Sequence, residues 1–60
     1  MTAPTRNDAV ATLRAASLTA ESIAWTLYLS GLRTVAARYE DEADRLWARS
    51  DALKGAEVQS

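Results

Sequence analysis

The stretch Tyr28–Tyr39, YLSGLRTVAARY, decides how this chain folds. It places Ser30 and Gly31 between two segments that both carry helical spacing. From Tyr28 onward, Tyr28, Leu32, Val35, Ala36, Tyr39, Ala43, Leu46, Trp47 and Leu53 fall in one arc. The arc is roughly 120° wide when each residue turns the helix by about 100°. Arg33, Thr34, Arg38, Glu40, Asp41, Asp44, Arg45 and Asp51 take the opposite side. This pattern predicts an amphipathic helix over roughly 32–53. Lys54 and Gly55 then supply a cation in the last turn and a glycine beyond it, a termination signal.

Upstream of the glycine the pattern changes. Trp25, Tyr28 and Leu29 lie on or near the same arc, but Ile23 and Leu27 lie well off it. The segment from about Ala20 is therefore apolar almost all round. Such a segment is buried on several sides, or the chain bends at Gly31 and its two halves face different partners. A helical hairpin and one long bent helix both satisfy the pattern.

Two start signals stand earlier. In TRND, Thr5 and Asp8 have the spacing of a capping box, with Asn7 as a competing cap. They predict a short helix over roughly 7–16, with Val10, Leu13 and Ala16 inward and Arg14 outward. About ten residues make a marginal helix alone in water. In SLTAESI, Thr19 can cap a second helix, and Glu21 sits in its first turn, favoured by the helix dipole. Leu18 and Ile23 stand at the spacing of a hydrophobic staple. A turn is expected just before Ala20. The organisation read from these signals is a disordered N-terminus over 1–6, a single helical domain over 7–54 and a flexible tail over 55–60.

Composition narrows the functions. Apolar residues make up 48% of 60 residues, well above the disordered regime, and a chain this short holds one domain at most. Small domains usually need a disulfide, a metal or a partner chain. Cysteine and histidine are both absent, which removes disulfides, thiolate metal sites and the commonest general base. Association remains. Seven basic and eight acidic residues leave a net charge of −1, so no global field draws the chain to nucleic acid or anionic lipid. MTAPTR lacks the apolar core of a signal peptide, and 23–37 is too short and too interrupted to span a bilayer. A cytoplasmic protein is expected, with no membrane contact.

Catalysis is not expected. Serines 17, 22, 30 and 50 have no histidine to activate them, and Gly31 and Gly55 are too isolated to form a phosphate loop. No cofactor is expected. Glu40, Asp41, Glu42 and Asp44 could bind a hard cation weakly through the Glu40–Asp44 spacing. They read more simply as a solvated face, with Arg38–Glu42, Asp41–Arg45 and Asp51–Lys54 at ion-pairing distance along a helix. An amphipathic helix with tryptophans also suits a membrane surface, but its polar face would then be basic rather than acidic.

One motif resemblance bears on function. TAESIAWTLYLS resembles the first helix and turn of a helix-turn-helix. That resemblance implies a small DNA-binding regulator, with Arg33, Arg38 and Arg45 as candidate phosphate or base contacts. Two positions depart from the motif. Tyr28 stands where the turn needs a residue tolerant of a left-handed backbone, and Val35 comes one position late, which would rotate the second helix by about 100°. EDEAD would also face phosphates with like charge.

The aromatic stripe is the stronger functional signal. Trp25, Tyr28, Leu32, Val35, Tyr39 and Leu46 step by threes and fours, close to a heptad. Ala43 and Ser50 shift the seam by one and let helices approach. The expected fold is all-α: a short helix plus a helical hairpin or long bent helix, assembling as a small bundle. The expected function is a non-catalytic interaction or adaptor module. It would homo-oligomerise, a dimer before higher states, or dock on a larger protein. The candidate interface is Trp25, Tyr28, Leu32, Val35, Tyr39, Ala43, Leu46, Trp47 and Leu53, because tryptophan and tyrosine are favoured anchors.

Overall fold

Two helices account for the structure, a computed structural model that describes residues 5–59. Helix α1 spans Arg6–Leu29 and helix α2 spans Arg33–Gln59. They pack side by side as an antiparallel hairpin, all-α with no strand among the described residues. Of the expected disordered N-terminus over 1–6, residues 1–4 fall outside those described, whereas Thr5 caps α1 and Arg6 is its first residue.

The start of α1 follows its sequence signal. Thr5 caps the helix in an extended conformation, and its hydroxyl accepts the Asp8 N–H at 3.1 Å. The Asp8 carboxylate accepts the Thr5 N–H at 3.1 Å, closing the capping box. Thr5→Ala should cost about 1 kcal/mol, and Thr5→Ser should cost little, since the acceptor oxygen survives. Thermal melts of the two variants at one protein concentration check this ordering.

The predicted turn before Ala20 is absent; α1 runs unbroken through Ala16–Thr19. Two reasons explain the correction. No glycine or proline interrupts 6–29, and alanine, the best helix former, stands at 9, 11, 15, 16, 20 and 24. The threonine read as a cap instead turns its hydroxyl back onto the Ala15 carbonyl at 3.0 Å, a bond compatible with a helix interior. Thr26 does the same to Ser22, at 3.0 Å.

The chain does break at Gly31, which adopts φ 86°. Ser30 is the C-cap of α1. The Gly31 N–H reaches the Tyr28 carbonyl at 3.0 Å and the Leu32 N–H reaches Leu27 at 2.9 Å. This pair of bonds is the Schellman termination, which needs a left-handed residue after the cap. Helix α2 starts at once, with the Ala36 N–H bonded to the Leu32 carbonyl at 2.9 Å. Leucine is a poor cap and no acidic residue stands in the first turn of α2, so the glycine carries the turn.

Helix α2 does not stop at Gly55 as the termination signal predicts; its backbone is helical to Gln59. A glycine inside a helix costs about 1 kcal/mol relative to alanine but does not by itself end one, and no proline follows.

The seam between the helices is built from small residues. Ser17, Ala20 and Ala24 of α1 meet Ala36, Ala43 and Ser50 of α2, and these six are the buried residues among those described. In α1 the seam series Val10, Leu13, Ser17, Ala20, Ala24, Leu27 steps by threes and fours without a break. In α2 the series Ala36, Tyr39, Ala43, Leu46, Ser50, Leu53 does likewise. Small side chains bring the backbones close enough for the buried Ser17 hydroxyl to donate to the Ala43 carbonyl at 2.8 Å. Ser50 donates to the Trp47 carbonyl at 2.7 Å. No buried side-chain donor or acceptor is left without a partner among the described residues.

This seam buries little apolar area. The buried apolar side chains among the described residues are four alanines. The Cα extents are 44 × 27 × 10 Å, a single layer of helices. Stable domains enclose a core between at least two layers.

Candidate functional site

The seam divides the surface of the hairpin into two faces. On α1, Ser17, Ala20 and Ala24 define the inward direction. The helical period then turns Arg14, Leu18, Glu21 and Trp25 to one side and Ala9, Ala16, Ile23 and Leu27 to the other. On α2, Glu40, Asp44, Trp47 and Asp51 flank the seam on one side and Val35, Glu42, Leu46 and Leu53 on the other.

The first face is a groove of about 610 Å³. Ser17, Leu18, Ala43, Trp47 and Ala48 supply its small and apolar lining, and four carboxylates, Glu21, Glu40, Asp44 and Asp51, also line it. Arg14 closes one end. The expectation that it points outward is corrected: its guanidinium is part-buried between the helices, because the heptad sets position 14 beside the seam rather than behind it. Nε donates to the Ser50 hydroxyl at 3.3 Å, one terminal nitrogen meets Asp51 Oδ1 at 3.3 Å, and the guanidinium lies 4.8 Å from the Trp47 ring centroid. Arg14–Asp51 is the ion pair formed among the described residues, so the expected Arg38–Glu42, Asp41–Arg45 and Asp51–Lys54 pairs are not made. Asp51 is drawn across the seam instead. A second stack continues the face toward the turn. Trp25 and Tyr28 stack at 5.9 Å, and the Arg33 guanidinium lies 5.4 Å from the Tyr28 ring.

Arg14→Ala removes a partly exposed ion pair and a cation–π contact, each of which contributes up to about 1 kcal/mol. The variant should melt lower and shift the Trp47 emission. Arg14→Lys should restore only part of the loss, because an ammonium cannot stack and bridge as a guanidinium does. A melt of Arg14→Ala superimposable on the parent would exclude the cluster as a clasp.

The second face is apolar and shallow. Ile23 and Leu27 from α1 lie on the same flank as Val35, Leu46 and Leu53 from α2, and Tyr39 lies between them near the seam. Ile23, Val35 and Tyr39 are each exposed at about the two-fifths level, and Leu27, Leu46 and Leu53 are half-buried.

The nine predicted interface residues therefore do not share one face. Ala43 is buried in the intramolecular seam. Trp47 lines the groove, and Trp25 and Tyr28 stack on that side of α1. Val35, Tyr39, Leu46 and Leu53 belong to the apolar face, and Leu32 stands exposed at the turn. The candidate interface leaves out Leu18 and Ile23, read instead as a hydrophobic staple, and Arg14, read as outward; the continuous heptad of α1 is the signal that places all three beside the seam. Arg33 is held against Tyr28, while Arg38 and Arg45 are exposed on α2. The helices run antiparallel along their length, unlike the 90–120° crossing of a helix-turn-helix.

No group of three or more carboxylates is placed to hold a metal among the described residues, and no helix is long and apolar enough to cross a membrane. No family model, curated protein or solved structure matches this chain.

Proposed function

We propose that the chain is a non-catalytic helical interaction module that works by burying an apolar face of the hairpin against another protein surface. One observation carries this reading. Among the described residues, every large apolar side chain is exposed or half-buried, and only alanines and serines are buried. Scattered exposed apolar residues are normal, but nine large ones are exposed among the described residues, and Ile23, Val35 and Tyr39 share one flank of the hairpin. At about 25 cal/mol per Å², covering a standard 800 Å² contributes about 20 kcal/mol gross, before the cost of association. The four seam alanines cannot supply a term of that size.

The test is helicity on dilution. Far-UV circular dichroism in a long-path cell, followed from high micromolar to nanomolar chain, should show loss of helix as the partner surface is removed. A chain that stays fully helical and monomeric at nanomolar concentration needs no partner, and the proposal fails. Fluorescence polarisation with a random DNA duplex at low salt, run alongside, should show no binding in the micromolar range. Binding there would favour the DNA-regulator reading that Arg33, Arg38 and Arg45 would serve.

A further inference from the structure

We infer that a second copy of this chain covers the apolar face, so that two hairpins form a four-helix bundle with the acidic groove left on the outside of each. This rests on reading the chain as an interaction module, and it names the partner and the face.

Three observations select them. The first is area. Ile23, Val35 and Tyr39 are exposed and Leu27, Leu46 and Leu53 half-buried on this one face, an apolar patch with no intramolecular cover. A standard interface takes about 800 Å² from each partner, the scale of the contact needed to cover it.

The second is layering. The hairpin is a slab of one helix layer, 10 Å thick in its Cα positions. Two slabs apposed face to face make the two-layer arrangement that encloses a core. Ile23, Leu27, Val35, Leu46 and Leu53 would fill the space between the layers, with Tyr39 at its centre.

The third is charge, which chooses between the faces. A dimer with twofold symmetry puts the same patch on both sides, so residue i meets j and j meets i. The groove face carries Glu21, Glu40, Asp44 and Asp51, with Arg14 already engaged by Asp51. Apposing it to itself sets like charge against like. On the apolar face, the α1 flank of Ala9, Ala16, Ile23 and Leu27 has no charge at all. The α2 flank carries Glu42 and Arg49, of opposite sign, which a twofold contact can pair reciprocally. The net charge of −1 adds no general repulsion between copies.

The two tryptophans of the chain, Trp25 and Trp47, both lie on the groove side, so the unmodified protein reports which face is covered. Sedimentation equilibrium across a dilution series should give twice the 6.5 kDa chain mass at high micromolar concentration. Acrylamide quenching of tryptophan at the same concentrations should show both rings accessible in the dimer. Ile23→Glu with Val35→Glu should raise the dimer dissociation constant at least tenfold, while Leu18→Glu, on the groove side, should leave it within about twofold, the effect expected of an exposed substitution away from the contact. A dimer whose tryptophans become shielded overturns the choice of face, as does a dimer broken by Leu18→Glu and not by the paired substitution. A chain that is monomeric at every concentration overturns the second copy. If that monomer is poorly helical, the module reading survives with a different partner; if it is fully helical, both fall.

Discussion

Ala24→Leu and Ala36→Leu will each lower the stability of the hairpin by about 1–3 kcal/mol, the usual cost of inserting methylenes into a packed contact. Both alanines are only 1% exposed, and they lie where α1 and α2 approach each other nearest the turn. Leucine at either site has nowhere to go except against the facing backbone. The helices must then separate, and the Ser17 hydroxyl loses its reach to the Ala43 carbonyl. In a chain of this size each kcal/mol moves the melting temperature by about 4–8 °C. Melts must be compared at one protein concentration, because association makes the midpoint concentration-dependent. Ala37→Leu, at an exposed position one residue along, is the control and should change the melt little. If Ala24→Leu and Ala37→Leu melt alike, the alanine seam is not where the helices meet.

The second large effect is expected at the turn. Gly31→Val should cost about 1–2 kcal/mol or more, because an L-residue in the left-handed region meets its own backbone and a β-branched one meets it worst. The space around the glycine is open, with nothing within 4 Å of an added Cβ, so the penalty is one of backbone conformation and not of crowding. Gly31→Asn should therefore retain most of the stability, since asparagine tolerates this region, and Gly31→Ala should fall between the two. Part of each loss is offset by the lower entropy of the unfolded chain. The ordering Gly, Asn, Ala, Val in melting temperature is the readout. A valine variant as stable as the parent would mean that the chain turns elsewhere, or continues as one long helix.

Much of the fold was legible in local chemistry. Thr5 and Asp8 announce the start of α1, and the hydroxyl and carboxylate that make the signal also make the observed bonds. Ser30–Gly31 marks a bend in the sequence, and the left-handed Gly31 makes it a break between two helices. The false signal at Leu18–Ile23 shows the limit of such reading. A threonine can cap a new helix or bond back within an existing one, and which it does depends on whether the next turn of helix has something to pack against. Here Ser17, Ala20 and Ala24 do, in α2. The signal at Lys54–Gly55 fails for a related reason, since glycine permits a stop without requiring one.

The candidate surface was legible only in part. A wheel that ranks residues by apolarity draws Trp25, Tyr28, Val35, Tyr39 and Trp47 onto one stripe and makes that stripe the core. The hairpin instead closes on the smallest residues, because alanine and serine let two backbones come near enough for Ser17 to bond the opposite carbonyl. The large residues are left on either side, the tryptophans with the carboxylates and Ile23, Val35, Leu46 and Leu53 on the other face.

The sequence by itself determined that this chain is all helical and carries a long apolar stripe, and it marked Thr5 as a candidate cap and Gly31 as a candidate bend. These follow from properties that each residue carries wherever it is placed: cap chemistry, backbone freedom and side-chain area. Only the tertiary structure decided which residues meet. It folded one continuous α1 onto α2 along an alanine–serine seam, turned Arg14 inward to Asp51 and Trp47, and divided the aromatic stripe between two faces. That choice depends on the distance between two helices, a property of the pair that neither segment contains alone.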